Sequence, residues 1–292
     1  MYNISKWGNN VPVNKYYQQK MALGCDTTIV LVTDDSPKRV EALFNQLWLT
    51  IFQFERNFSR FIPASELNIF NRSAGIKTPV SNEFKELLEA SKKMAELTDG
   101  LFNPFVLPAL QKAGYMHSFI AKYSLDESLN VSSRQAAPIQ SLEIFDDSAA
   151  IPVNTALDMG GIGKGFLADK LATMGELSSV QGFWFSLGGD VVAGGFDVDD
   201  KPWQIAVQDA SRPNNTLAIK MTAKEPVTAV ASSGTIIRKG MKNNIPWHHI
   251  IDTRTGEPAQ TDILLATVNA KSAYLSDVFA KCAVVLGSEE AP

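Results

Sequence analysis

The sequence predicts an α+β fold. An apolar run rich in β-branched residues precedes two long amphipathic helices, and the second half of the chain mixes closely spaced strand candidates with further helices. A doubly wound parallel sheet would instead alternate strand and helix one for one. At 292 residues, 45% of them hydrophobic and 20% charged, the chain is long enough to bury a substantial core.

The first 20 residues are polar and read as an N-terminal arm, followed by one domain over 21–292 whose two halves meet around 125–150. Residues 21–33 carry Thr28-Ile-Val-Leu-Val-Thr33, closed by Asp34-Asp-Ser-Pro37, which predicts a strand. Pro37 opens a helix over 38–54, where Val40, Leu43, Phe44, Leu47, Trp48, Ile51 and Phe52 recur at helical spacing. A second helix over 82–97 sets Phe84, Leu87, Leu88, Ser91, Met94 and Ala95 on one face. It stops before Thr98-Asp-Gly100, whose glycine suits a left-handed cap. Residues 125–150 are richer in Ser, Asn, Gln and Asp and hold one short strand candidate, 141–145. A helix over about 165–177 follows, then strands near 182–187, 203–207, 217–221, 228–231, 248–252 and 263–269, and a helix over 274–286.

Composition excludes several classes. A net charge of -4, a pI near 5.5 and no clustering of Lys and Arg argue against a nucleic-acid surface. No run approaches the roughly 18 apolar residues of a membrane span, and the polar start does not read as an export signal, so a cytoplasmic location is expected, with export by a signal outside this sequence as the alternative. Ala22-Leu-Gly-Cys25 has the residues of a lipoprotein cleavage box, but no apolar run precedes it. Cys25 and Cys282 are far apart and neither belongs to a CxxC pair, so they read as buried thiols rather than a zinc site or disulfide.

The densest chemical signal is Asp158-Met-Gly160-Gly161-Ile-Gly163-Lys164-Gly165-Phe-Leu-Ala168-Asp169. Glycines ahead of a helix expose backbone N–H groups where the helix dipole adds positive charge, and Lys164 supplies a mobile cation, a combination that can cradle phosphate. A Walker A loop is excluded, because Asp158 stands at its first glycine and Gly165 at its Ser/Thr. Gly163-x-Gly165-x-x-Ala168 satisfies a loose dinucleotide fingerprint, yet the preceding 153–158 is too polar for the buried strand that fingerprint requires.

Further clusters follow in order around it: Ser65-Glu-Leu67 with Asn71, Thr98-Asp-Gly-Leu-Phe-Asn103, Ser186-Leu-Gly188-Gly189-Asp190, Ala229-Val-Ala-Ser-Ser233-Gly234, His248-His249-Ile-Ile-Asp252-Thr-Arg-Thr255-Gly256, and Ser276-Asp277 through Gly287. This ordered set resembles the ApbE family of FAD:protein FMN transferases over 23–287. The resemblance implies an α+β fold with a duplicated T-fold-like core. The implied activity cleaves FAD, passes FMN to a Ser or Thr hydroxyl of an acceptor flavoprotein and releases AMP. It also implies that Leu23 and Phe61 lie against the flavin and that Leu101, Phe102 and Asn103 hold the adenine. Asp158, Lys164, Ser233, Gly234 and Ile251 would contact FAD, His249 would stand beside the pyrophosphate, and Gly161, by its backbone oxygen, and Asp277 would hold Mg²⁺.

Independent chemistry agrees with part of this. Cleaving a pyrophosphate builds charge on phosphoryl oxygens, which Lys164 and the glycine N–H groups could meet. A hydroxyl nucleophile benefits from a base, and His249 is one of only three histidines. Three departures stand out. Lys281 occupies the position where the family's metal motif has Thr, on the same helical face as Asp277, so its ammonium can pair with Asp277 or sit where the cation would. Asn103 replaces an Asp, and Cys25 replaces a Thr. An FAD-binding module without transfer activity and an FAD pyrophosphatase are the alternatives left by the sequence.

Overall fold

A computed structural model describes residues 13–116, 136–212, 215–221, 227–242 and 244–291. Its centre is a six-stranded antiparallel sheet built from β1 (Asn14–Ala22), β2 (Cys25–Thr33), β3 (Gly182–Leu187), β4 (Asp190–Gly195), β5 (Val227–Gly234) and β6 (Leu265–Ala270), adjacent in that order. The helices are α1 (Pro37–Phe58), α2 (Glu66–Arg72), α3 (Asn82–Leu97), α4 (Leu107–Ala113), α5 (Gly163–Ala172) and α6 (Ala273–Leu286).

Side chains of a strand point alternately to its two faces, and both faces of this sheet are covered. Ile29 and Leu31 of β2, with Phe185 and Leu187 of β3, join α1, α3 and α5 in the main core. Val30 and Val32, with Val191 and Ala193, pack on the opposite side against Trp203 and Ile205. There the ladder of 204–208 with 216–221 lies outside the sheet, and Trp203 Nε1 donates to the Gly194 carbonyl at 3.0 Å.

The α3 face is the one its spacing predicts, with all six named residues buried, and Gly100 takes φ 79° just past its end. Helix α1 runs one turn beyond the predicted boundary. Phe54 and Phe58 complete its buried face, whereas Phe52 is 41% exposed, stacked on Trp48 beneath the Lys20 ammonium. Residues 14–20, read from sequence as the end of a polar arm, form the edge strand β1. Its one covered face is tied to α1 by Trp48 Nε1 donating to Gln18 at 2.8 Å, so period-2 apolar alternation never develops. Helix α5 stops at Ala172, before a 3₁₀ turn over Gly175–Ser179. Of the stretch 125–150, residues 125–135 lie outside the described residues. The remainder holds Glu143–Ile144 and Ser148–Ala150, which pair with each other, and Ser148–Ala150 pairs on its other side with Thr78–Pro79. Among the described residues no helix is long and apolar enough to cross a membrane.

Candidate active site

Two hairpin turns lie side by side at one end of the sheet. Leu23-Gly24 joins β1 to β2 and Gly188-Gly189 joins β3 to β4, all four residues with positive φ. Ala22-Leu-Gly-Cys25 is therefore the closing pair and tip of a hairpin. The tips pack so closely that a Cβ on Gly188 would lie 2.7 Å from the Cys25 sulfur. Beyond them opens a cleft, partly open to solvent, with a cavity volume of about 190 Å³.

Hydrogen bonds between side chains and the backbone hold the cleft walls. Ser65 caps α2 by accepting from Asn68 N at 3.1 Å, while Asn68 Nδ2 donates to the carbonyls of Arg60 and Ile62 at 2.8 and 2.9 Å. Asn71 exchanges two hydrogen bonds with the Leu157 backbone, at 2.9 and 2.8 Å. The Ser-x-Leu…Asn motif thus clamps two loops together, setting Arg60, Phe61 and Asp158 at the cleft wall. Arg60 is 5% exposed and pairs with Asp158, its guanidinium 4.6 Å from the Phe61 ring centroid and 4.3 Å from that of Tyr115. Thr98 ends α3, accepting from Phe102 N at 3.1 Å, and Thr253 donates to the Gly100 carbonyl at 2.5 Å, bringing Leu101 and Phe102 to the same wall.

The opposite end is ionic. Lys164, in the first turn of α5, pairs with Asp190 at the start of β4 and stands 3.9 Å from Asp277 Oδ2. Lys281 pairs with Asp277 Oδ1 and donates to the Asp277 carbonyl at 3.3 Å. Burial alone would lower the Lys164 pKa, but Asp190 and Asp277 outweigh it and hold the ammonium above the ordinary lysine value, so it stays charged. Helix α6 is set against α5 by Asp169, which accepts from Ser272 Oγ, Ala273 N and Tyr274 N at 2.7, 2.7 and 3.1 Å, an N-terminal cap donated by a neighbouring helix. Gly165 permits the approach, since a Cβ there would lie 2.5 Å from Tyr274 Cα.

His249 reaches the cleft from an elbow. Sequence spacing predicts one strand over 248–252, but Ile245–His248 pairs with Lys239–Lys242 and Ile251–Asp252 pairs with Glu257–Pro258, so the chain turns between the two hairpins. His248 turns away, its Nε2 3.0 Å from the Ala259 carbonyl. His249 N donates to Arg238 O at 3.1 Å and its ring meets Tyr115 edge-on at 6.2 Å. Burial, reinforced by the charges of Arg238 and Lys281, holds the imidazole pKa well below its ordinary 6.5, so the ring is neutral at pH 7, and its buried Nδ1 has no hydrogen-bond partner. Burial likewise pushes the Cys282 thiol up to about 11 and raises that of Cys25, so neither cysteine presents a thiolate.

Leu23, Phe61, Leu101, Phe102, Asn103, Asp158, Gly161, Lys164, His249 and Ile251 all line this one cleft. Asp277 lies beneath the wall through its two lysines. Ser233 and Gly234 do not line it; they sit on β5, paired with Ala266 and Leu265 of β6. Asn103 uses its polar atoms in the protein: Nδ2 donates to Ala137 O at 2.9 Å and Oδ1 accepts from Phe105 N at 3.0 Å. Sequence reasoning missed Arg60, Tyr115 and Arg238, which also line the cleft. An arginine among aromatics in Asn57-Phe58-Ser59-Arg60-Phe61 could have drawn notice, whereas nothing in the polar stretch around Arg238 marks it.

A sequence model described as the ApbE family matches residues 23–292. The chain belongs to the ApbE family. It is similar to the FAD:protein FMN transferase of Haemophilus influenzae, 25% identical over 277 residues that cover 91% of this chain and 77% of that one. To the FAD:protein FMN transferase of Treponema pallidum it is 24% identical over 302 residues, covering 98% and 83%. The crystal structure of the ApbE protein from Thermotoga maritima has the same fold, with a TM-score of 0.80, 24% identity and coverage of 94% of this chain and 87% of that one. The fold shared with that structure is α+β, and in this chain it is built around one antiparallel sheet with the cleft at its hairpin end.

Proposed function

We propose that this chain transfers FMN from FAD to a Ser or Thr hydroxyl of an acceptor flavoprotein, releasing AMP. The observation that carries the reading is a single cleft with an apolar, aromatic wall at one end and three cations, Lys164, Lys281 and Arg238, with a neutral histidine at the other. Such a surface matches a ligand of planar rings joined by a pyrophosphate. Leu23, Phe61, Tyr115 and Ile251 would take ring surface, while Leu101 and Phe102 would frame the second ring system. Lys164, Lys281, Arg238 and the N–H groups around Gly161 would face phosphoryl oxygens.

In the transfer, the acceptor hydroxyl oxygen forms a bond to the phosphorus of the FMN half. The bridging P–O bond breaks, AMP leaves with the electron pair, and the hydroxyl proton passes to His249. A histidine held neutral by burial is in the form that can accept that proton throughout the neutral range, while the same burial and the neighbouring cations weaken it as a base. A Mg²⁺ at Gly161 and Asp277 does not fit the residues present. Oδ1 of Asp277 holds the Lys281 ammonium and Oδ2 faces Lys164, which leaves no free set of carboxylate oxygens for an octahedral ion. Side-chain cations supply the charge instead.

The test is incubation of the full chain with FAD, with and without an acceptor flavoprotein, measuring AMP, free FMN and protein-bound fluorescence after denaturation. AMP together with denaturation-resistant flavin on the acceptor is expected. AMP with free FMN would point to a pyrophosphatase, and bound FAD without AMP to a binding module.

A further inference from the structure

We infer that the Lys281 ammonium takes the place of a divalent cation at Asp277, so that this chain binds FAD without any metal ion, an inference that rests on the flavin reading above for its ligand. Asp277 is 1% exposed and has two carboxylate oxygens. Lys281 is on one, and the other, which accepts no hydrogen bond, has the Lys164 ammonium at 3.9 Å. Asp190, which shares Lys164 with Asp277, is itself paired to that lysine. Among the described residues no three His, Cys, Asp or Glu side chains come together to hold a metal. A divalent ion entering here would be repelled by two ammonium groups and would find one open carboxylate oxygen where six oxygen ligands are wanted.

Lys281 is more than a helix-surface pair. Its side chain is 18% exposed, it lines the cleft beside Arg238 and His249, and its Cε lies 3.7 Å from the point where a Gly161 side chain would begin. The four charges of Lys164, Lys281, Asp190 and Asp277 cancel, so Arg238 adds the net positive charge, and for it no carboxylate partner is found among the described residues. Replacing Lys281 with a small hydroxyl residue would leave a buried carboxylate facing only Lys164, at 3.9 Å, the charge imbalance that draws in a cation.

The experiment uses the full chain. Mn²⁺ is titrated by electron paramagnetic resonance without FAD, and FAD affinity is measured by flavin fluorescence in EDTA and in millimolar Mg²⁺. The expected result is no one-equivalent Mn²⁺ site and FAD dissociation constants within about twofold of each other. Lys281→Thr is expected to gain a one-equivalent Mn²⁺ site and to lose FAD affinity by about tenfold or more when EDTA is added. Lys281→Met, which removes the charge without offering a ligand, should bind FAD more weakly in either buffer.

A stoichiometric Mn²⁺ site in the parent, or an FAD affinity that collapses in EDTA, overturns the inference whatever the variants do. So does a folded Lys281→Thr that gains no Mn²⁺. Should the parent bind no FAD in either buffer, the flavin reading fails while the Mn²⁺ titration still decides whether Lys281 excludes the ion.

Discussion

Leu23 holds its backbone at φ 58°, a left-handed conformation that costs an L-residue with a Cβ roughly 1–2 kcal/mol. Only glycine and, less often, asparagine adopt it readily, so a leucine at a hairpin tip on the cleft wall trades stability for an apolar contact. Leu23→Gly is expected to raise the unfolding free energy by about 1 kcal/mol in urea titration. The same change should weaken FAD binding by about tenfold as apolar surface is lost. His249 makes a pH prediction. Its folded pKa is depressed, so as pH falls through 6.5 the unfolded chain takes up a proton that the native chain refuses. This contribution to stability is present above pH 6.5 and is lost progressively below it. Replacing His249 with Gln should remove that share of the acid slope, which denaturant titrations between pH 7 and 5 would measure.

At the scale of elements, α5 and α6 behave as one unit. Asp169 on α5 caps α6, Gly165 lets the backbones meet, and the pair presents Lys164 beside Asp277 and Lys281. Asp169→Ala removes three hydrogen bonds from a helix start and is expected to cost about 1–3 kcal/mol, seen as a lower urea midpoint. FAD affinity should fall further than this change away from the cleft would suggest, because Asp277 and Lys281 ride on the uncapped helix. An outcome in which stability drops and FAD binding does not would show that α6 holds its place without the cap. Much of this unit was legible beforehand: the Gly-Lys segment as a helix start, α6 nearly to its ends, and Lys281 on the face of Asp277. The role of Gly165 in helix packing was not, because a close approach between distant segments leaves no local pattern.

Across the whole molecule the two faces of the sheet are unequal. The helical side gathers α1, α3, α5 and α6 over one continuous core, while the other side has a small cluster around Trp203 beneath a hairpin. Amide exchange should therefore rank the segments. Protons at 29–32 and 183–187 are expected to exchange only through global unfolding, and those at 204–208 through cheaper local opening. Equal protection in the two regions would contradict this picture. The cleft lies at the hairpin end of the sheet, with walls from both covered and exposed segments, which lets a rigid helical layer hold the charged end.

Sequence by itself determined the α+β class, the buried faces of α1 and α3 apart from Phe52, and the ordered motifs that mark the ApbE family, because periodicity and turn chemistry are local properties written in neighbouring residues. It also singled out Lys164, His249, Asp277 and Lys281. Only the tertiary structure decided that residues 14–20 are an edge strand, that His249 stands at an elbow rather than within a strand, and that Ser233 and Gly234 lie away from the cleft. Arg60, Tyr115 and Arg238 joined the site in the same way. Each depends on which distant segment a residue meets, and in an antiparallel sheet that is settled by pairing and burial across the chain rather than by spacing along it.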